Sequence, residues 1–171
     1  VTPADIVVCI LDRPRHKDII SGVRESGARI MLISDGDVSG VIATAQPDAG
    51  VDLYLGSGGA PEGVLAAAAL RCIGGQMQGR LMFRNDDEIS RARRWGIEDL
   101  EKKYCLSELA KGDVMFAATG VTGGTMLKGV KRFPGGADTH SIIMRSSTGT
   151  VRTIEAHHDW RRKPISSDLK V

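Results

Sequence analysis

Short apolar runs alternate with longer amphipathic segments along the first half of the chain. The runs are rich in β-branched residues and are bounded by turn-forming residues, which is typical of buried strands. They predict strands over Asp5–Leu11, Arg29–Ile33 and Val51–Leu55. The segments that follow them predict helices over 14–26, 38–46 and 61–74. Strand and helix in alternation predict a parallel sheet.

The second half changes to short strand patterns separated by glycine turns, which is typical of antiparallel pairing. The predicted strands are Gln76–Phe83, Val114–Thr119, Met126–Phe133, His140–Arg145 and Thr150–Ala156. Between the first and second of these, Asp86–Tyr104 is highly charged and is predicted to be a helix with a solvated face. The predicted fold class is therefore α/β with a mixed sheet, as one domain over 1–159. A polar tail over 160–171, which contains Pro164, is expected to be a flexible end.

Composition excludes a disordered or fibrous protein, because 42% of the 171 residues are hydrophobic and the 21 glycines follow no period. A net charge of +2 gives no strong field, so neither nucleic acid nor membrane is expected as a partner. The longest apolar stretch, Val64–Leu70, is too short to cross a bilayer, and no signal peptide is recognised. Three cysteines without CxxC spacing fit a reducing cytoplasm. Because Val1 stands almost directly before a predicted strand, we expect the chain to begin inside a longer protein.

Three loops follow the three predicted parallel strands. They are Asp12–His16, Ser34–Asp37 and Gly56–Glu62. Ligands of open α/β sheets bind beyond the carboxyl ends of such strands. We therefore expect arginines, carboxylates and a glycine-rich backbone to meet at one edge of the sheet.

The first loop carries Arg13 and Arg15 on either side of Pro14, which fixes the local backbone. Two guanidiniums at the start of a helix suit a phosphate group, since each offers a fork of donors and the helix end adds N–H groups. The alternative is a pair of surface arginines that bind no ligand.

The second loop carries two carboxylates in the short turn Asp35–Gly36–Asp37. Asp37 is in a suitable place to be a helix N-cap, the commonest role of Asp there. The alternative is that the two carboxylates accept sugar hydroxyls or help to hold a cation.

The third loop, Gly56–Gly59, lets a ligand approach the backbone closely, although it matches neither the dinucleotide fingerprint nor the P-loop. Pro61 and Glu62 follow it and are favourable residues for the start of a helix. Glu62 either interacts with the helix end alone or ligates a metal such as Mg²⁺, which prefers carboxylate oxygens.

Two further motifs are given structural roles. Gly120–Thr125 lies between predicted strands and is interpreted as a hairpin turn. His157 and His158 are adjacent on a predicted strand, so they point to opposite faces, and a zinc site is not expected there.

The three loops also resemble those of a known family, the class II fructose-1,6-bisphosphatases of the lithium-sensitive sugar and inositol phosphatase superfamily. The resemblance runs from about residue 5 to His158, and the tail from Asp159 matches nothing recognised. The stretches that carry it are Cys9–His16 (CILDRPRH), Leu32–Val38 (LISDGDV), Gly58–Gly63 (GGAPEG), Ala67–Gly75 (AAALRCIGG), Phe116–Thr122 (FAATGVT), Pro134–Gly136 and Thr139–Ser141.

The resemblance implies a metal-dependent enzyme of gluconeogenesis that uses Mg²⁺ or Mn²⁺ to hydrolyse the 1-phosphate of fructose 1,6-bisphosphate. It implies a layered sugar-phosphatase fold, of which this chain is mainly the C-terminal α/β half. The N-terminal half, which carries the family's other metal carboxylates, would be a partner missing from this chain, and the whole would form a homo-oligomer. The chain alone is therefore expected to be inactive.

The resemblance also implies roles for individual residues. Arg13, Pro14 and Arg15 would grip the distal 6-phosphate, Asp35, Gly36 and Asp37 would contact the sugar, Gly59 would approach the substrate by its backbone, and Glu62 would be a catalytic metal ligand. Three positions depart from the family pattern: Arg13 stands where some members have lysine, and Gly123 and Gly124 stand where an acidic residue is expected. The chief alternative function is a non-catalytic module that binds a phosphorylated metabolite, and a mononucleotide-binding fold is a weaker one.

Overall fold

In the computed structural model, which describes residues 1–163, the chain opens with a three-stranded parallel sheet. Strand β1 (Val7–Leu11) lies in the centre, with β2 (Arg29–Ile33) on one side and β3 (Leu53–Tyr54) on the other. β1 is parallel to both neighbours. Its last four residues are buried, which accounts for its unbroken apolar run. The predicted parallel sheet is confirmed.

A helix follows each parallel strand, as the alternating pattern predicts. These helices are α1 (Lys17–Glu25), which a 3-10 turn over Pro14–His16 precedes, α2 (Asp37–Ala43) and α3 (Ala60–Ile73). α3 ends at Gly74, whose φ of +85° lies in the left-handed region that glycine adopts without steric cost. The three predicted helices are therefore confirmed, with ends that differ by a few residues.

α1 and the pair α2–α3 cover opposite faces of the parallel sheet. Val8 and Ile10 of β1 pack against Ile20 and Val23 of α1. Cys9 alternates with them and therefore points to the other face, as does Tyr54, which lies opposite it in the register. On that face Tyr54 packs against a buried cluster from α2 and α3, made of Val41, Ala66 and Leu70.

The second half forms an antiparallel sheet on the far side of α2 and α3. Its strands are β6 (Met115–Thr119), β7 (Lys131–Phe133), β8 (Gly136–Arg145) and β9 (Thr150–Asp159). β8 is central: it pairs with β6 and β7 along one side and with the whole of β9 along the other. Phe116, Ile142 and Met144 of this sheet pack against Ile42, Ala69 and Cys72 of the two helices. The expected α/β fold with both parallel and antiparallel strands is confirmed, and the two kinds of strand lie in separate sheets.

The segment between the two sheets corrects one predicted helix. Only the first part of Asp86–Tyr104 is helical: α4 (Asp86–Arg94) ends next to Gly96, whose φ is +80°. Tyr104 lies instead in β5 (Lys103–Cys105), which pairs antiparallel with β4 (Gln78–Arg80), and a short α5 (Leu106–Leu109) follows. The charge pattern of α4 fits a single short helix, because its acids cluster in the first turn and its arginines in the last. The strand predicted over Gln76–Phe83 is present in its central three residues.

The loop over Gly120–Thr125 corrects a second prediction. A hairpin turn would join two paired strands, but β6 and β7 both pair with β8 and lie end to end along it. The loop folds on itself through hydrogen bonds from the Gly124 N–H to the Leu127 carbonyl (3.0 Å) and from the Val130 N–H to the Val121 carbonyl (3.1 Å). The strand predicted over Met126–Phe133 is accordingly shortened to its last three residues.

The end of the antiparallel sheet runs into the predicted tail. Trp160 donates its N–H to the carbonyl of Gly135 at 2.9 Å, so the first residues of the tail turn back on the sheet. The rest of the tail, from Pro164 onward, lies outside the described residues. Among residues 1–163 no helix has the length and apolarity that spanning a bilayer requires.

Two leucines of α3 allow a test of this packing. Leu70 is 1% exposed within the cluster that joins α2, α3 and Tyr54, whereas Leu65 on the same helix is 52% exposed. We expect Leu70→Ala to lower the free energy of unfolding by about 2–5 kcal/mol, because it removes buried methyl groups and leaves a cavity. Leu65→Ala should change it by about 0.5 kcal/mol or less. Denaturant unfolding of both variants measures the difference, and equal losses would contradict the packing of α3.

Candidate functional site

The three loops that follow the parallel strands lie together at one edge of the sheet. The strand order β2-β1-β3 places the loop Asp12–His16 between the other two. Arg15 of this loop donates its Nε–H to the carbonyl of Ser57 in the third loop at 2.9 Å. A Cβ built on Gly58 would lie 3.5 Å from Oδ2 of Asp37, so the second loop also reaches the third. The predicted convergence is therefore found in the structure.

The two arginines of the first loop are each held by one hydrogen bond to a carbonyl. Arg13 is half-buried and donates to the carbonyl of Asp12 at 2.8 Å, while Arg15 is exposed and uses only its Nε–H on Ser57. Pro14 begins the 3-10 turn between them, which its fixed φ favours. Neither guanidinium is paired with a carboxylate among residues 1–163. Both therefore keep charged donors available for an anion at the sheet edge.

His16 is a residue of this site that sequence reasoning missed. It is completely buried and contacts two strand ends: Nδ1 lies 2.6 Å from the Leu11 carbonyl, and Nε2 lies 2.9 Å from the backbone N of Ser57. The sequence signal is weak, since the exposed arginine Arg15 precedes it and Lys17 follows it. The 3-10 turn, which the pattern does not predict, brings its ring inward.

The second loop corrects the capping prediction for Asp37. The N-cap of α2 is Gly36, with φ of +78°, and Asp37 is the first residue of the helix. Its Oδ1 accepts the Val38 N–H at 2.9 Å, so the carboxylate still satisfies one donor of the helix start. Its Oδ2 faces the glycine loop, and Asp35 is exposed. Both carboxylates therefore border the edge, Asp37 from a half-buried position.

The third loop brings Gly59 and Glu62 together. Gly59 is the N-cap of α3, and a Cβ on it would overlap Oε2 of Glu62. Glu62 is exposed in the first turn of α3, and its carboxylate forms no ion pair with the described residues. This geometry fits a carboxylate that the helix end favours and also one that offers its oxygens to a cation.

Tyr54 lies beneath the loops, and their charge affects the pKa of its hydroxyl group. Burial raises its pKa to about 12, and the negative charge of Asp37 acts in the same direction. Its ring also packs against Gly40 of α2, where a Cβ would lie 3.1 Å from Cε2. Tyr54 is therefore a neutral ring beneath the second and third loops, and nothing in its predicted strand marked it in advance.

No metal cluster is complete within the part of the chain that the structure describes. Among residues 1–163 no three His, Cys, Asp or Glu side chains are close enough to hold an ion. His157 stacks on Phe133 and pairs its Nδ1 with Asp138 at 2.6 Å. His158 faces the other side of the sheet, where Nε2 lies 2.9 Å from Thr139 Oγ1. A cation at the sheet edge would thus find the exposed carboxylate of Glu62 but no complete set of three such ligands among residues 1–163.

Comparison with known proteins gives one family. The family model described as bacterial fructose-1,6-bisphosphatase, glpX-encoded, matches residues 1–158. A relative from Trichodesmium erythraeum is 43% identical over 167 residues, which cover 90% of this chain and 48% of the relative. A relative from Crocosphaera subtropica is 42% identical over 182 residues, which cover 99% of this chain and 52% of the relative. Both are named D-fructose 1,6-bisphosphatase class 2/sedoheptulose 1,7-bisphosphatase, and this chain spans about half of their length.

The raised pKa of Tyr54 predicts a pH dependence of stability. Between pH 10, the ordinary pKa, and about pH 12 the unfolded chain loses this proton while the folded chain keeps it. The free energy of unfolding should therefore fall as the pH rises through this window, and Tyr54→Phe should remove that part of the fall. Denaturant unfolding of both proteins from pH 9 to about pH 12 checks this. An identical pH dependence of the two would contradict the buried environment of Tyr54.

Proposed function

The chain belongs to the bacterial class 2 fructose-1,6-bisphosphatase family, and from that membership we propose that it supplies part of the active site of a metal-dependent sugar-bisphosphate phosphatase. The reaction is hydrolysis of the 1-phosphate of fructose 1,6-bisphosphate to fructose 6-phosphate and phosphate. One observation carries this proposal: two arginines without ion-pair partners in the described chain and one exposed glutamate border the same sheet edge, where Arg15 is bonded to Ser57 of the loop that leads to Glu62.

Arg13, Pro14 and Arg15 bind the distal 6-phosphate in this proposal. A phosphate that does not react supplies binding energy, which positions the one that does. The support is the geometry of Arg15, whose Nε–H is fixed on Ser57 while its two terminal nitrogens remain for a forked contact.

The sugar lies between the second and third loops in this proposal. Asp35 and Asp37 accept its hydroxyls, and Gly36 and Gly59 allow the ring to approach the backbone. The support for Gly59 is steric, because any side chain there would displace the carboxylate of Glu62. The support for Asp37 is its second oxygen, which points towards the glycine loop.

Glu62 would hold Mg²⁺ or Mn²⁺. The residues present fit such an ion in part: the carboxylate is a hard oxygen donor, it is exposed, and α3 fixes its position. When bound, the metal supplies charge neutralisation at the reacting phosphate and lowers the pKa of a coordinated water. Glu62 would hold that ion near the 1-phosphate, while the arginines hold the opposite end of the substrate.

The remaining metal ligands come, in this proposal, from the other half of the family polypeptide, which we take to be the N-terminal half. The relatives are about twice as long as this chain, and residues 1–163 bring no three potential ligands close enough together to complete a Mg²⁺ site. The face of the antiparallel sheet that points away from α3 exposes Met115 and Ile154, which supports a covering partner there. A homo-oligomer in the cytoplasm belongs to the same proposal. The described chain alone would then be inactive.

A non-catalytic module that binds a phosphorylated metabolite is the alternative. It predicts binding of the sugar phosphate without metal, and no phosphate release when the other half is supplied. The relatives' names also include sedoheptulose 1,7-bisphosphate, so both bisphosphates belong in the assay.

The arginine loop gives a test of the distal phosphate. In the complete polypeptide, Arg13→Ala or Arg15→Ala should raise KM for fructose 1,6-bisphosphate. Each substitution removes charged hydrogen bonds that contribute about 1.5–3 kcal/mol to the free energy of binding. Fructose 1-phosphate lacks the distal phosphate, so its KM should rise far less with the same substitutions. Arg24→Ala, on the exposed side of α1, is the matched control. Steady-state kinetics with both substrates measure the change in KM. An equal change for both substrates would contradict the assignment of the arginines to the 6-phosphate.

Glu62 gives the test of the metal and of the function itself. Glu62→Gln keeps the size of the side chain and removes its charge. In the complete polypeptide kcat should fall about 100-fold or more, equal to about 2.7 kcal/mol of barrier, with the Mg²⁺ and Mn²⁺ dependence altered. If Glu62 only satisfied the helix end, stability would change by at most about 1 kcal/mol and turnover would stay. Phosphate release against metal concentration distinguishes the two.

Two controls accompany this experiment. Glu98→Gln changes an exposed glutamate on the loop after α4 and should leave kcat unchanged. The 171-residue chain, assayed free of any other polypeptide, should release no phosphate. Enzyme-like turnover by that chain would contradict the shared active site, and metal-independent binding without turnover by the complete polypeptide would favour the binding module.

A further inference from the structure

The hydrogen-bond ladder between β1 and β3 is interrupted at the edge where the site lies. Its last direct rung joins the Leu55 N–H to the Cys9 carbonyl at 3.1 Å. In a parallel ladder the next rung comes two residues later on both strands, which would join the Ser57 N–H to the Leu11 carbonyl. The His16 imidazole lies between these two groups instead, 2.6 Å from the Leu11 oxygen and 2.9 Å from the Ser57 nitrogen.

The chemistry of the two backbone groups fixes the tautomer of His16. The Leu11 carbonyl only accepts, so Nδ1 carries the proton. Nε2 lies 2.9 Å from the Ser57 nitrogen, 3.1 Å from the Ser57 carbonyl oxygen and 3.3 Å from Ser57 Oγ; the nearest of the three, the Ser57 N–H, only donates, which assigns the lone pair to Nε2. The neutral imidazole thus bridges the two backbone groups that would otherwise bond to each other directly. The ring is fully buried and in contact with the loop backbone, since a Cβ on Gly56 would lie 3.3 Å from its Cε1.

Ser57 is consequently held from both of its backbone groups. Its N–H is bound to His16 and its carbonyl accepts from Arg15, two neighbours on the first loop. Two residues further along the third loop comes Gly59, the N-cap of the helix that presents Glu62. The His16 ring therefore contacts the one residue that is bonded to Arg15 and lies two positions before the N-cap of α3.

We propose that His16 is a positioning residue: its ring is a spacer that parts β1 from β3 at their carboxyl ends and fixes the separation between Arg15 and Glu62. This inference rests on the proposed function, because it assigns the fixed separation to a sugar bisphosphate whose two phosphates are held at once. A buried histidine that only stabilised the fold would affect the activity on every substrate equally. A spacer matters most when both ends of the substrate are engaged.

Two amide substitutions separate the two hydrogen bonds of His16. The amide nitrogen of Asn lies at the position of Nδ1, so His16→Asn keeps a donor for Leu11 and loses the acceptor for Ser57. The amide oxygen of Gln reaches the position of Nε2, so His16→Gln keeps the acceptor for Ser57. Each variant keeps one bond of the pair, and thermal unfolding verifies that both are folded. His157→Asn, on the exposed strand β9, is the control.

In the complete polypeptide, His16→Asn should lower kcat/KM for fructose 1,6-bisphosphate by about 100-fold, mainly through kcat, because the substrate ends are displaced relative to each other. His16→Gln should keep most of the wild-type kcat/KM for this substrate. For fructose 1-phosphate, kcat/KM should fall about tenfold or less with either variant. Equal activity of Asn, Gln and wild type would overturn the proposal. So would an equal loss on both substrates.

A second readout keeps the spacer separate from the proposed function. Nitrogen-15 NMR of the 171-residue chain should find the His16 proton on Nδ1 and a lone pair on Nε2, and His16→Asn should shift the Ser57 amide resonance more than His16→Gln does. A proton on Nε2 would overturn the spacer whatever the activity. Absence of turnover in the wild-type complete polypeptide would overturn the proposed function, and with it the substrate assigned to the spacer, while the NMR result would still decide the spacer itself.

Discussion

The pairing of β1 with a parallel neighbour on each side is the constraint on which the rest of this structure depends. Because β1 is buried on both faces and bonded along both edges, its carboxyl end has one position relative to β2 and β3. The three following loops must then leave from the same edge, whatever their own sequences. Chemistry that is far apart along the chain is thereby brought together by backbone hydrogen bonds, and the side chains only refine the geometry.

Much of the fold could be predicted from residue patterns because its elements are locally consistent. β2 is found at its predicted bounds, Arg29–Ile33, and α3 begins at its glycine–proline start and ends at its glycine stop. The errors fall where a pattern has two solutions. The charged segment after Asn85 has helical propensity beyond Arg94, but pairing with β4 draws Lys103–Cys105 into a strand. A local pattern carries no information about that distant partner.

Some residues of the candidate site could likewise be predicted from the sequence, and others could not. The convergence of Arg15, Asp37 and Glu62 was predictable, because it follows from the order of strands and helices. His16 and Tyr54 were not, because their roles depend on which way a ring points once the sheet has formed. The capping role given to Asp37 failed by one position, since Gly36 takes the left-handed conformation and becomes the N-cap. Family resemblance assigned the ligand contacts, whereas the packing beneath them became visible only in three dimensions.

The alanines of α3 restrict how this chain can vary in evolution. Ala66, Ala67 and Ala69 are each at most 2% exposed, because α3 is enclosed by α2 and by a sheet on either side. A larger side chain at any of these positions has no solvent-facing direction in which to turn, so substitution would displace the elements packed around α3. A stretch that looks like simple helix-forming sequence is thus among the least replaceable parts of the chain. Substitutions should instead be tolerated at its exposed neighbours, Val64 and Leu65.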